Sequence, residues 1–81
     1  MLIALDYDGT YTEDPDLWDN FIVNAIKNGH EVKILTMRYP HETIDIDGIE
    51  VIYTSRKAKY GYIPANIYID NEPGRLFADS V

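Results

Sequence analysis

A few acids and cations in this 81-residue chain stand where chemistry is done. Asp6 and Asp8 flank Tyr7 and lead straight into Gly9 and Thr10, and all five follow the apolar run Leu2-Ile3-Ala4-Leu5. Thr36 closes a second apolar run, Ile34-Leu35, and Asp70 closes a third, Ile67-Tyr68-Ile69. Close carboxylates can hold different protonation states, because a second negative charge nearby raises a pKa. Residues 1–20 carry six acids and no base, whereas Arg56, Lys57 and Lys59 cluster with no acid beside them. A fold that brings these poles together makes a site for a cation and an anion at once.

The elements that must do the positioning are legible. Leu2 to Leu5 reads as a short strand buried on both faces. Asp14-Pro15 gives a helix start, with Asp14 as N-cap and Pro15 at the first helical position. Leu17, Trp18, Phe21, Ile22, Ala25 and Ile26 recur at helical spacing and Gly29 ends the run, so a helix is expected from about Pro15 to Asn28. Glu31 to Thr36 is the second strand, a parallel neighbour of the first through a right-handed crossover. Ile49 to Tyr53 and Ile67 to Ile69 are the third and fourth strands. Arg56 to Tyr62 has room for one or two helical turns before Gly61 and Pro64, and Gly74 to Val81 reads as a short terminal helix or a frayed tail. Asp6, Thr36 and Asp70 then share the carboxyl edge of a parallel sheet, where open α/β folds place ligands.

The stretch Leu2 to Thr10 resembles the first motif of the haloacid dehalogenase (HAD) superfamily, an apolar strand followed by D-x-D-G-T. The other motifs come in the same order: Ile34-Leu35-Thr36 resembles the second, Lys57 or Lys59 the third, and Ile67-Tyr68-Ile69-Asp70-Asn71 the fourth. The likeness is to the very small capless members found in bacteria and phages. It implies a single domain over residues 1–81, a minimal Rossmann-like, three-layer α/β fold with a mainly parallel sheet of about four strands. It also implies a magnesium-dependent (Mg2+) phosphohydrolase. Asp6 would attack phosphorus, and Asp8 would protonate the leaving oxygen and later activate water. Thr36 and Lys59 or Lys57 would engage the phosphate, and Asp6, the Asp8 carbonyl and Asp70 would hold the metal. Gly9, Thr10, Arg38, Tyr7 and Tyr11 are the candidate substrate contacts, with Arg38 as a phosphate or substrate clamp or a surface residue and the two tyrosines as base-stacking or packing groups.

Plainer readings compete. Asp8-Gly9 alone is a common turn, and Asp45-Ile46-Asp47-Gly48 repeats the pattern without a preceding buried strand or a following Thr, as a turn would. The first copy fails as an EF-hand loop, since its Gly falls two positions early. A strand-end Thr or acid and a solvated basic run are the ordinary alternatives for Thr36, Asp70 and the lysines. His30 and His41 lack ligand-like spacing and read as exposed.

Composition narrows the partners. The formal net charge is -7, which disfavours nucleic-acid polymers and anionic membranes. No apolar run approaches the ~20 residues that span a bilayer, and the basic flank of a signal peptide is missing, so the expected location is the cytoplasm, the host's if phage-encoded. With no cysteine there is neither a disulfide nor a thiolate metal site. The chain also departs from the family: only Tyr11, Thr12 and Glu13 separate Thr10 from the helix cap, leaving no lid, and Asn71 stands where a second Asp is common, with Glu72 beside it. Two main functions follow, with a third beside them. One is hydrolysis of a small phosphorylated molecule, nucleotides included, in a homo-oligomer that supplies the missing walls. The other is binding and sequestration of a phosphate-containing nucleotide signal without turnover. Phosphorylation of Asp6 as an acceptor domain is a third.

Overall fold

The structure is a computed structural model and describes residues 1–80. Four strands, β1 (Leu2–Leu5), β2 (Glu31–Thr36), β3 (Val51–Tyr53) and β4 (Ile67–Ile69), form one all-parallel sheet in the order β3-β2-β1-β4. One helix, α1 (Pro15–Lys27), connects β1 to β2. The result is a small Rossmann-like α/β fold. None of the described helices is long and apolar enough to cross a membrane.

Alternation along the strands divides the core in two. Ile3, Leu5, Val32 and Ile34 face α1 and pack with Ile22, Ala25 and Ile44. Ala4 and Leu35 face the other way, onto Ile63, with Ala65 and Tyr68 alongside. The helix is set by its ends: the Asp14 carboxylate accepts from Leu17 N at 3.1 Å, Pro15 starts the first turn, and Gly29 follows in the left-handed region at φ 85°. Its apolar face is narrower than the spacing implies. Ile22 and Ala25 are buried, whereas Leu17 and Ile26 stay about half exposed.

Two expectations are corrected. Strand β3 starts at Val51, because Asp47-Gly48 makes a turn that Ile49 closes by donating to Ile46 O at 3.1 Å. Residues 56–62 form no helix. Thr54 to Lys57 is a tight turn with Ser55 and Arg56 at positive φ (53° and 70°), closed by Lys57 N to Thr54 O at 3.1 Å. Beyond it, Lys59 N and Tyr60 N donate to Arg75 O and Leu76 O at 3.1 and 2.8 Å, so these donors bond to the C-terminal segment instead of a helical ladder. The third layer is therefore irregular chain. The terminal element is a 3-10 turn, Pro73–Leu76, and Val81 lies outside the described residues.

Candidate active site

Parallel register brings the polar strand ends together. Leu5 pairs with Ile69 and with Ile34, and Asp6 N donates to Ile69 O at 2.9 Å. Asp6 and Asp70 therefore leave adjacent strands side by side, with Thr36 next to them at the end of β2. Both carboxylates reach one cation. Lys59 Nζ lies 2.6 Å from Asp6 Oδ1 and 2.6 Å from Asp70 Oδ2, and all three side chains are less than a tenth exposed. Burial pushes the Asp6 carboxyl above its ordinary value of 3.8, while the Lys59 hydrogen bond and charge pull it back.

The loop after β1 is shaped around the remaining Asp6 oxygen. Thr10 Oγ1 donates to Asp6 Oδ2 at 3.0 Å and accepts from Asn71 N at 3.1 Å. The Asn71 amide, turned so that its nitrogen faces acceptors, donates to Asp6 Oδ2 at 2.8 Å, Thr10 Oγ1 at 3.2 Å and the Asp8 carbonyl at 3.3 Å. Gly9 has two reasons to be glycine: its φ is 84°, and an added Cβ would meet the Asn71 side-chain amide at 2.5 Å. Asp70 is fixed in its turn by Glu72 N, which donates to Oδ1 at 2.8 Å.

Asp8 turns away from this group. Arg38 Nε and Nη2 hold its two oxygens at 2.8 Å each, a bidentate fork that keeps the carboxyl below the ordinary aspartate value. The guanidinium carbon sits 5.1 Å from the centroid of the Tyr7 ring, which itself stacks on Tyr11 at 5.5 Å. Tyr11 OH donates to Asp19 at 2.7 Å. Neither ring lines the cavity described below; Tyr7 bears on the site through Arg38.

Asp6, Asp8, Thr36, Arg38, Lys59 and Asp70 line one open cavity of about 180 Å³ at the carboxyl edge. Thr36 is buried, and its Oγ1 accepts from Arg38 N at 3.2 Å. Lys57 is not in the group. It is exposed and lies 3.8 Å from Asp79, so of the two lysines Lys59 alone enters the site. The same cavity takes in Arg56, Asn71, Glu72 and Arg75, so that four carboxylates face four cations. Arg56 was visible as part of the basic cluster, and it is tied to Glu42 at 3.1 Å. Arg75, bonded to Glu72 at 3.0 Å, carries no sequence signal beyond its Pro-Gly turn.

Among the described residues no three His, Cys, Asp or Glu side chains form a metal-holding group. An oxygen set appears only when main chain is included: Asp6 Oδ2, Asp8 O and Thr10 Oγ1 all lie 2.8 to 3.3 Å from the Asn71 amide nitrogen. Comparison with protein-family models, curated proteins and solved structures finds no match to this chain.

Proposed function

We propose that this chain is a minimal HAD-like phosphohydrolase, acting with magnesium on a small phosphorylated molecule. The observation that carries the reading is the convergence of Asp6 and Asp70 on the buried Lys59 ammonium, beside Asp8, Thr36 and Arg38 in one open cavity of about 180 Å³. In this reading the Asp6 carboxylate attacks phosphorus in line, the ester P–O bond breaks, and Asp8 gives a proton to the leaving oxygen. Asp8 then takes a proton from water, which attacks the aspartyl-phosphate and releases inorganic phosphate. Thr36 donates to a phosphate oxygen, and Lys59 and Arg38 offset the charge on the others.

The donor set fits a hard cation. Magnesium takes oxygen ligands, and Asp6, the Asp8 carbonyl and Asp70 beside Asp6 would supply them once the Asn71 amide, which fills the point that Asp6 and the Asp8 carbonyl face, moves aside. When bound, the ion supplies the positive charge that lets a phosphate dianion lie next to ionised Asp6. The cavity's four acids and four cations leave it formally neutral without that ion.

One observation favours the second reading, binding without turnover. Both Asp8 oxygens are committed to Arg38, and an ionised, clamped carboxylate donates no proton. The hydrolase reading has the open cavity walled further by a second copy of the chain. With magnesium, p-nitrophenyl phosphate and nucleoside monophosphates should be hydrolysed and Asp6→Asn should abolish it. Mass spectrometry of a nucleotide recovered intact from a tight complex would replace hydrolysis by sequestration, and sedimentation as a monomer at micromolar concentration would remove the second copy.

A further inference from the structure

The Arg38–Asp8 pair is asymmetric in what holds each partner. The Arg38 guanidinium is seated independently of Asp8. It lies over Tyr7, its Nη1 donates to Glu42 O at 3.4 Å, and its own main-chain N is anchored on Thr36 Oγ1 at 3.2 Å. The Asp8 carboxylate is about half exposed, and among the described residues its hydrogen-bond donors are the two Arg38 nitrogens. The fork has other supports; the carboxylate has the fork.

A planar guanidinium matches two oxygens of any carboxylate or phosphate, and Arg38 opens onto the same cavity as Thr36 and Lys59. We propose that Arg38 is an oxyanion seat that Asp8 occupies when no ligand is present, and that an incoming phosphoryl group displaces Asp8 from it. The exchange breaks two hydrogen bonds between Arg38 and Asp8 and makes two between Arg38 and phosphate oxygens. The guanidinium stays where it is, and the released Asp8 side chain swings free at the cavity wall. Arg38 is thus a positioning residue for Asp8 and a binding residue for the ligand, never both at once. The inference deepens the phosphohydrolase reading and rests on a phosphate occupying this cavity.

The test is calorimetric binding of inorganic phosphate, with magnesium, to the full chain. Asp8→Asn, which loses the charge and one of the two acceptor oxygens, should loosen the hold on the seat and tighten phosphate binding roughly five- to tenfold. Removing a negative charge helps any anion, so two controls isolate the seat. In an Arg38→Gln background, Asp8→Asn should change affinity by less than about twofold. Glu72→Gln, which removes one charge from the same cavity, should give a smaller gain than Asp8→Asn. Asp8→Ser serves as a second probe if the Asn variant fails to fold. Unchanged or weaker binding by the Asp8 variants, or an equal gain with and without Arg38, overturns the seat. Failure of every variant to bind phosphate overturns it too. Magnesium-dependent hydrolysis by the wild-type chain is read separately, so the phosphohydrolase reading stands or falls on its own result.

Discussion

Lys59 reaches Asp6 across 53 positions of sequence, Nζ to Oδ1 at 2.6 Å, with only 4% and 8% of the two side chains exposed. The contact joins the irregular third layer to the end of the central strand. A buried lysine is tolerable here because its charge is shared with Asp70 as well, and each of these carboxylates gains a further donor, Thr10 for Asp6 and Glu72 N for Asp70. The same arrangement that makes a site thus ties the sheet to the chain that covers it.

Lys59→Met should therefore destabilise the protein strongly. It leaves two buried carboxylates without their cation, which costs about 3–5 kcal/mol in comparable buried pairs. Lys57→Ala is the matched control: its partner is 3.8 Å away and both side chains are well over half exposed, so its effect should stay within about 0.5 kcal/mol. Urea denaturation of the two variants measures the difference. Equal stability would show that Lys59 and Asp6 are not paired in solution.

Gly9 and Gly48 separate backbone strain from lack of space. Both have positive φ, 84° and 75°, but an added Cβ meets Asn71 at 2.5 Å only at Gly9. Gly48→Ala should cost about 1 kcal/mol for the left-handed conformation, and Gly9→Ala about 2–3 kcal/mol because Asn71 must also move. If the two losses are the same, Asn71 does not lie over the loop.

How far the sequence reached depends on the range of the forces involved. Helix α1 was legible because Asp14, Pro15 and Gly29 act within a turn of their own positions, and β1, β2 and β4 because their apolar runs end sharply at Asp6, Thr36 and Asp70. Those ends also gave the side-by-side placement of the site residues, since a parallel sheet aligns its carboxyl edges. The segment 56–62 was not legible. The main-chain donors of Lys59 and Tyr60 at its centre are satisfied by Arg75 and Leu76, far along the chain, and local spacing cannot report that. For the same reason Lys57 and Lys59 looked alike in sequence, two residues apart in one basic run. The Arg38–Asp8 fork, spanning 30 positions, and the inclusion of Arg75 in the cavity are also products of tertiary placement.

Tyr11 gives a pH readout of the scaffold beneath Arg38. Its hydroxyl donates to Asp19 at 2.7 Å, and that bond, with some burial and the nearby charge, raises the phenol from 10.0 to about 12. Ionising the phenol would set two negative oxygens against each other. Because the folded value is raised, the stabilisation from this bond is complete below pH 10 and disappears as the pH climbs toward about 12. The phenol is largely solvent-facing, so the effect on overall stability is small and titration is the better observable. Phenolate absorbance in pH jumps that outrun alkaline unfolding, taken as the difference between wild type and Tyr11→Phe, should isolate one group with a midpoint of about 12. Asp19→Asn should return that midpoint toward 10.0. A wild-type midpoint already at 10.0 would mean that the Tyr11–Asp19 bond does not form, and that the ring stacked under Tyr7 is held by packing alone.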